Sequence, residues 1–122
     1  MKFVLVSFYT SGSIYEESAL ELGAAALSLG VEFRAYGVPD MGGWCANTDY
    51  KARFVLERML EFPDRNVAYT DADSLILRYP ELFDDPKADF LIRRQDFPWR
   101  KGEFLGGTFL VRNTDAARRT VE

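Results

Sequence analysis

The chain has 122 residues, 48% of them hydrophobic and 15% aromatic, with a net charge of −4, no histidine and the single cysteine Cys45. That length predicts one domain over residues 1–122, able to bury about two-thirds of its unfolded surface without disulfide or metal staples. The acidic balance is not that of a general nucleic-acid binder, and one cysteine without histidine excludes an internal disulfide, zinc sites built from cysteine or histidine, and Ser-His-Asp triads within the chain.

A reducing compartment is the simpler expectation for a lone cysteine. No apolar run approaches a membrane span, and Phe3–Val6 is too short for a signal-peptide core. The expectation is a soluble, cytoplasmic protein.

Lys2–Phe8 is nearly continuously apolar and predicts an interior strand. A turn through Tyr9, Thr10, Ser11 and Gly12 follows. Ser13-x-x-Glu16 has capping-box spacing for a helix ending at Leu29, with Gly30 as its C-terminal stop. Leu20, Ala24 and Leu27 predict that helix's core face. Val31–Tyr36 alternates as a second strand, and strand, helix, strand in this order is a βαβ unit with parallel pairing. Ligands of such sheets bind beyond the carboxyl ends of the strands, which places Tyr9, Thr10 and Ser11 at a candidate site. The plain alternative is an ordinary strand-to-helix turn.

Val38–Trp44 is a loop dense in turn formers. Asn47 or Thr48 predicts the cap of a second helix, Asp49–Glu61, stopped by Pro63. Ala52, Val55, Leu56, Met59 and Leu60 form its apolar stripe. Lys51 falls in its first turn, where it opposes the helix dipole at a cost of about a few tenths of a kcal/mol, small enough for a plain surface lysine.

Val67–Thr70 reads as a buried strand, and Asp71-Ala72-Asp73 stands at its C-terminal end. Residues two apart on an extended backbone share a side. Two carboxylates there suit a hard divalent cation, Mn²⁺ or Mg²⁺, shared with a substrate's phosphates. The same residues also serve a simple turn. Beyond them, Pro80 and Pro86 forbid a long helix. Ala88–Arg93 predicts a short strand, with Arg93 and Arg94 as phosphate or sugar contacts or as a charged strand exit. Asp96–Gly102 is a loop carrying Trp99. Glu103–Arg112 predicts a strand interrupted by Gly106-Gly107, a bulge or a point of close ligand approach. Asn113–Asp115 caps a last helix.

Tyr69–Ser74 followed by Pro80-Glu81-Leu82-Phe83 resembles the signature region of GT-A-type glycosyltransferases, the nucleotide-diphospho-sugar transferase superfamily. Tyr50–Leu56 and Phe104–Thr114 match the same pattern in the same order. The resemblance covers Tyr50–Thr114, the donor-binding half of that family. The fold it implies, together with the βαβ unit, is α/β: a mainly parallel, Rossmann-like sheet of about five strands with helices on both faces. An antiparallel edge from the later strands is compatible with it. Relative to the family the span is truncated, and the histidine that completes many members' metal site is missing.

The function implied is metal-dependent transfer of a sugar from a nucleoside diphosphate sugar to an acceptor. Tyr9, Thr10, Ser11, Lys51, Asp71 and Ala72 would bind the nucleotide; Arg93, Gly106 and Gly107 would meet the sugar. Asp71 and Asp73 would hold Mn²⁺ or Mg²⁺, with Asp73 the direct contact and Asp71 shared with the ribose. Asp96 and Glu103 are the candidate bases for the acceptor hydroxyl. The partners expected are a nucleotide-sugar donor, an acceptor and, for so short a span, a larger assembly. The alternatives are a non-catalytic nucleotide-sugar-binding module and a structural component whose aromatics Trp44 and Trp99 form an interface.

Overall fold

The computed structural model describes residues 2–122. Its elements are β1 (Phe3–Thr10), α1 (Tyr15–Ser28), β2 (Phe33–Val38), α2 (Trp44–Glu61), β3 (Asn66–Thr70), β4 (Phe90–Phe97), β5 (Arg100–Val111) and α3 (Asp115–Val121), with a 3-10 turn at Glu81–Phe83. The five strands form one sheet in the order β2-β1-β3-β5-β4.

Strand β1 pairs in parallel with β2 on one side and β3 on the other. The chain thus crosses from β1 outward to β2, then back over β1 to β3. Right-handed crossovers running in opposite directions put their helices on opposite faces. Ala26 of α1 packs with Phe3, Leu5, Ala68 and Leu110. On the other face, Phe54, Val55 and Met59 of α2, with Ala117 of α3, cover Val4, Val6, Val67, Tyr69, Phe109 and Val111.

The sheet is mixed rather than mainly parallel, which corrects the expectation. Strand β5 runs antiparallel to β3 and to β4. Strand β4 runs in the same direction as β3, since both are antiparallel to β5, so the segment from Asp71 to Asp89 is itself a crossover. Pro80 and Pro86 keep that crossover from being a long helix, and it packs the rings of Tyr79 and Phe83 on Phe3. The chain then returns as the β4–β5 hairpin, turning at Pro98-Trp99, so the expected Asp96–Gly102 loop is mostly strand.

Both long helices turn differently from their sequence reading. The buried residues of α1 are Ala19, Leu22 and Ala26, whereas Leu20 and Leu27 are 72% and 79% exposed. Small residues allow the helix to sit close to the sheet: a Cβ at Gly23 would lie 3.3 Å from the Phe33 ring. The capping box does not form. The Ser13 hydroxyl donates to the Thr10 carbonyl and accepts from the Tyr15 N–H, with no part for Glu16. Gly30 does stop the helix, at φ 74°.

Helix α2 starts at Trp44, earlier than expected, after Gly43 at φ 111°. The Asp40 carboxylate accepts from the Gly42 and Gly43 N–H groups and from the Asn47 amide. Those backbone bonds, then Asn47, hold the Asp40 carboxyl below the usual carboxylate range. Asn47 and Thr48 therefore lie inside the helix and do not cap it. Phe54, Val55 and Met59 are buried, while Ala52 and Leu60 face outward. The aromatic Phe54 carries the packing through Phe8, Tyr36, Tyr50 and Tyr69. Helix α3 is capped as expected, with Thr114 accepting from the Ala117 N–H. Among the described residues, no helix is long and apolar enough to cross a membrane.

Candidate functional site

The direction of the crossovers reverses between β1 and β3, and the crevice beyond the carboxyl ends of these strands is where open α/β sheets bind ligands. A cleft of about 270 Å³ lies there. Strand β1 contributes Tyr9 and Thr10, β3 and its exit contribute Tyr69, Asp71, Ala72 and Asp73, and α2 contributes Trp44 and Lys51. Ser11 stands beside the cleft, its N–H bonded to the Val38 carbonyl. Gly37 of β2 makes room for this turn: a Cβ there would lie 2.8 Å from the Ser11 hydroxyl and 3.2 Å from that of Tyr9.

Asp71 is the best-anchored of the cleft's carboxylates. Its backbone N–H donates to the Gly107 carbonyl (2.9 Å), which fixes the strand exit to β5. Its Oδ1 accepts from the Tyr69 hydroxyl at 2.9 Å and lies 3.1 Å from Lys51 Nζ. The same ammonium donates to the Gly106 carbonyl at 3.0 Å and sits 5.0 Å from the centre of the Tyr69 ring. Because α2 starts at Trp44, Lys51 is two turns inside the helix and not in its first turn. Burial, then the Asp71 charge and hydrogen bond, and last Asp73, push the Tyr69 phenol well above its ordinary value, so it remains a neutral donor.

Gly106-Gly107 explain how β5 reaches this point. The β4–β5 register jumps from Ile92↔Phe109 to Arg93↔Leu105. Three residues of β5, Gly106, Gly107 and Thr108, thus oppose none on β4, a large bulge of the kind expected at these glycines. The bulged carbonyls turn towards Asp71 and Lys51. A Cβ on Gly107 would lie 3.2 Å from Asp71 Oδ2, so the glycine gives the carboxylate its space.

Asp73 is exposed, at the mouth of the cleft. Among the described residues, no group of three or more His, Cys, Asp or Glu side chains gathers to hold a metal ion. Asp73 has a carboxylate available to a hard cation; Asp71 offers Oδ2, since Oδ1 is engaged. That donor set fits a divalent ion only when a ligand's diphosphate supplies further oxygens.

The remaining expected residues lie elsewhere. Arg93 is exposed on β4, outside the cleft's lining. Asp96 and Glu103 are on the β4–β5 hairpin: Asp96 accepts from the Gly102 N–H, and Glu103 pairs with Arg100 at 2.9 Å. Neither lines the cleft. Trp99, 78% exposed, stacks on Phe97 at the hairpin tip, whereas Trp44, equally exposed, is at the cleft. Tyr69 and Tyr15 are cleft residues that the sequence reading passed over. For Tyr69 a signal existed: it stands two residues before Asp71 on a strand, hence on the same side.

A larger groove of about 590 Å³ lies between α2, α3 and the β4–β5 strands. Its walls are mainly apolar, with Thr48, Asp49, Lys51, Asp89 and Thr120 as the polar residues.

The fold is that of a glycosyltransferase-like α/β protein. Among solved structures, the chain is similar to a glycosyltransferase involved in the glycosylation of the major capsid of PBCV-1, with a TM-score of 0.73 at 17% identity. The likeness covers 99% of this chain and 64% of that one, so the chain spans less than two-thirds of that protein's length. No protein-family model and no curated protein matches the sequence.

Proposed function

We propose that this chain binds a nucleoside diphosphate sugar in the cleft between β1 and β3 and passes the sugar to an acceptor hydroxyl. The observation that carries this reading is the convergence of Asp71, Asp73, Lys51, Tyr9 and Thr10 on one cleft at the switch point of the sheet. The nucleoside lies against Tyr9 and Thr10, with Tyr15 and Trp44 offering aromatic faces to a base. Asp71 turns its free oxygen towards hydroxyl groups of the donor. Beside the cleft lining, the space next to Gly106 is open and would admit the sugar.

A divalent cation, Mn²⁺ or Mg²⁺, held by Asp73 and the donor's diphosphate, supplies Lewis-acid stabilisation of the leaving group. In the transfer, the bond from the sugar's anomeric carbon to the diphosphate oxygen breaks with its electron pair on the diphosphate. A bond to the acceptor oxygen forms, and the acceptor's proton leaves to a base.

A second reading has an observation in its favour. Asp96 and Glu103 are occupied on the hairpin and do not line the cleft, so the described residues hold a donor site better than they hold an acceptor base. On that reading the chain binds the nucleotide sugar without transferring it. Calorimetric titration with a panel of nucleoside diphosphate sugars, with and without Mn²⁺, tests the donor site. Release of free sugar or labelling of an acceptor then separates transfer from binding. Absence of binding to every donor by the folded chain rejects both readings.

A further inference from the structure

We infer that Lys51 is a built-in cation for Asp71: it withholds that carboxylate from a metal ion and orients it as a one-oxygen acceptor for a donor hydroxyl. The inference rests on the donor-site reading of the cleft, and it concerns how the two aspartates divide their work.

The geometry is specific. Lys51 Nζ lies 3.1 Å from Asp71 Oδ1 and donates at 3.0 Å to the Gly106 carbonyl. One ammonium therefore joins the exit of β3 to the bulge of β5. The Tyr69 hydroxyl donates to the same Oδ1 at 2.9 Å. That oxygen thus has two donors, one charged and one neutral, while Oδ2, beside Gly107, has no hydrogen-bond donor among the described residues. Lys51 is 21% exposed at its side chain and Asp71 40%, so the pair is half-shielded from solvent. Asp73 has no comparable partner among the described residues.

Two consequences follow from charge and geometry. A divalent ion approaching Asp71 meets an ammonium already in contact with the carboxylate, and the like charges repel. A bidentate or bridging arrangement over both aspartates would require Lys51 to leave Asp71 and the Gly106 carbonyl together. The free protein is therefore a poor metal binder, and a metal enters with the diphosphate through Asp73. A fixed carboxylate with one free oxygen is, in turn, suited to accept from a hydroxyl of the ribose or sugar. Lys51 is a positioning residue in this scheme, since it acts on the donor through Asp71.

The test uses Mn²⁺ alone, read by the loss of its free-ion paramagnetic resonance signal on binding to the whole chain. Lys51→Met should bind Mn²⁺ with a dissociation constant at least about tenfold lower than the wild-type chain, by removal of one positive charge from the carboxylate. Asp71→Asn added to Lys51→Met should cancel the gain. Lys51→Arg, which keeps the charge, should stay within about twofold of wild type. Urea unfolding checks each variant, and Lys51→Gln serves if Lys51→Met does not fold. Unchanged Mn²⁺ affinity in the folded Lys51 variant would overturn the inference. So would tight wild-type Mn²⁺ binding that Asp71→Asn abolishes. Because no donor is present, a protein that binds no nucleotide sugar loses the proposed function but still reports on the Lys51–Asp71 pair.

Discussion

Replacing Tyr69 by Phe removes a single oxygen at the meeting point of core and site. The ring is 2% exposed and packs against Phe8, Phe54 and Phe109, the last stacked at 5.3 Å. Phe retains that packing, so the change isolates the hydrogen bond to Asp71. A hydrogen bond to a charged group contributes about 1.5–3 kcal/mol when buried. The Asp71 side chain is 40% exposed, so water replaces part of the lost bond, and a loss of about 1 kcal/mol is expected. For a chain of this size that is a fall in Tm of about 4 °C. Tyr69→Ala removes the ring as well and should cost about 3–5 kcal/mol. Urea titrations of the two variants, compared at equal m, give the two numbers. The phenol also has a pH signature. Its value in the folded chain is raised. Its stabilising term is therefore complete below about pH 10 and declines above it, as the unfolded phenol ionises. The advantage of wild type over Tyr69→Phe should shrink there. A Tyr69→Phe loss approaching that of Tyr69→Ala would refute the division between ring and hydroxyl.

Gly107→Ala should leave stability within about 1 kcal/mol yet weaken donor binding by about tenfold, since its Cβ would press on Asp71 Oδ2 at 3.2 Å. Unchanged donor affinity in calorimetry would show that this oxygen does not face the donor. Asp40→Ala should destabilise the chain at neutral pH by removing the acceptor of the Gly42 and Gly43 N–H groups. The Asp40 value is lowered in the folded state. Its contribution is therefore complete above about pH 4 and lost as pH falls through the lower native value. Thermal melts of both proteins from pH 7 downward should converge; a gap that persists at low pH would mean that charge is not involved.

The order of elements was legible because their local signals agree with the global fold. The apolar run of β1, the βαβ spacing and the Asp71-x-Asp73 exit all point to the carboxyl ends of β1 and β3, where the cleft lies. What was not legible depended on partners distant in sequence. Nothing in Leu20 or Leu27 reveals that the face of Ala19, Leu22 and Ala26, not their own, is the buried one. The antiparallel placement of β5 follows from the hairpin that folds it back from β4 into the gap beside β3, and no local feature of Glu103–Arg112 announces that neighbour. Helix α2 begins early because Asp40 caps the loop from outside the helix. Lys51 was visible as a cation near the motif, but its grip on Asp71 and the Gly106 carbonyl arises from the bulge in β5. Asp96 and Glu103, the candidate bases for the acceptor hydroxyl, sit on the hairpin, which carries both away from the cleft lining.

The central claim is that this cleft holds a nucleoside diphosphate sugar through Asp71 and Asp73. Its most direct test is calorimetric titration of the whole chain with nucleoside diphosphate sugars, with and without Mn²⁺, beside Asp73→Asn. The account predicts that one donor binds, more tightly with Mn²⁺, and that Asp73→Asn removes the Mn²⁺ dependence. A folded chain that binds no donor under either condition, or one whose binding ignores Asp73, would contradict it.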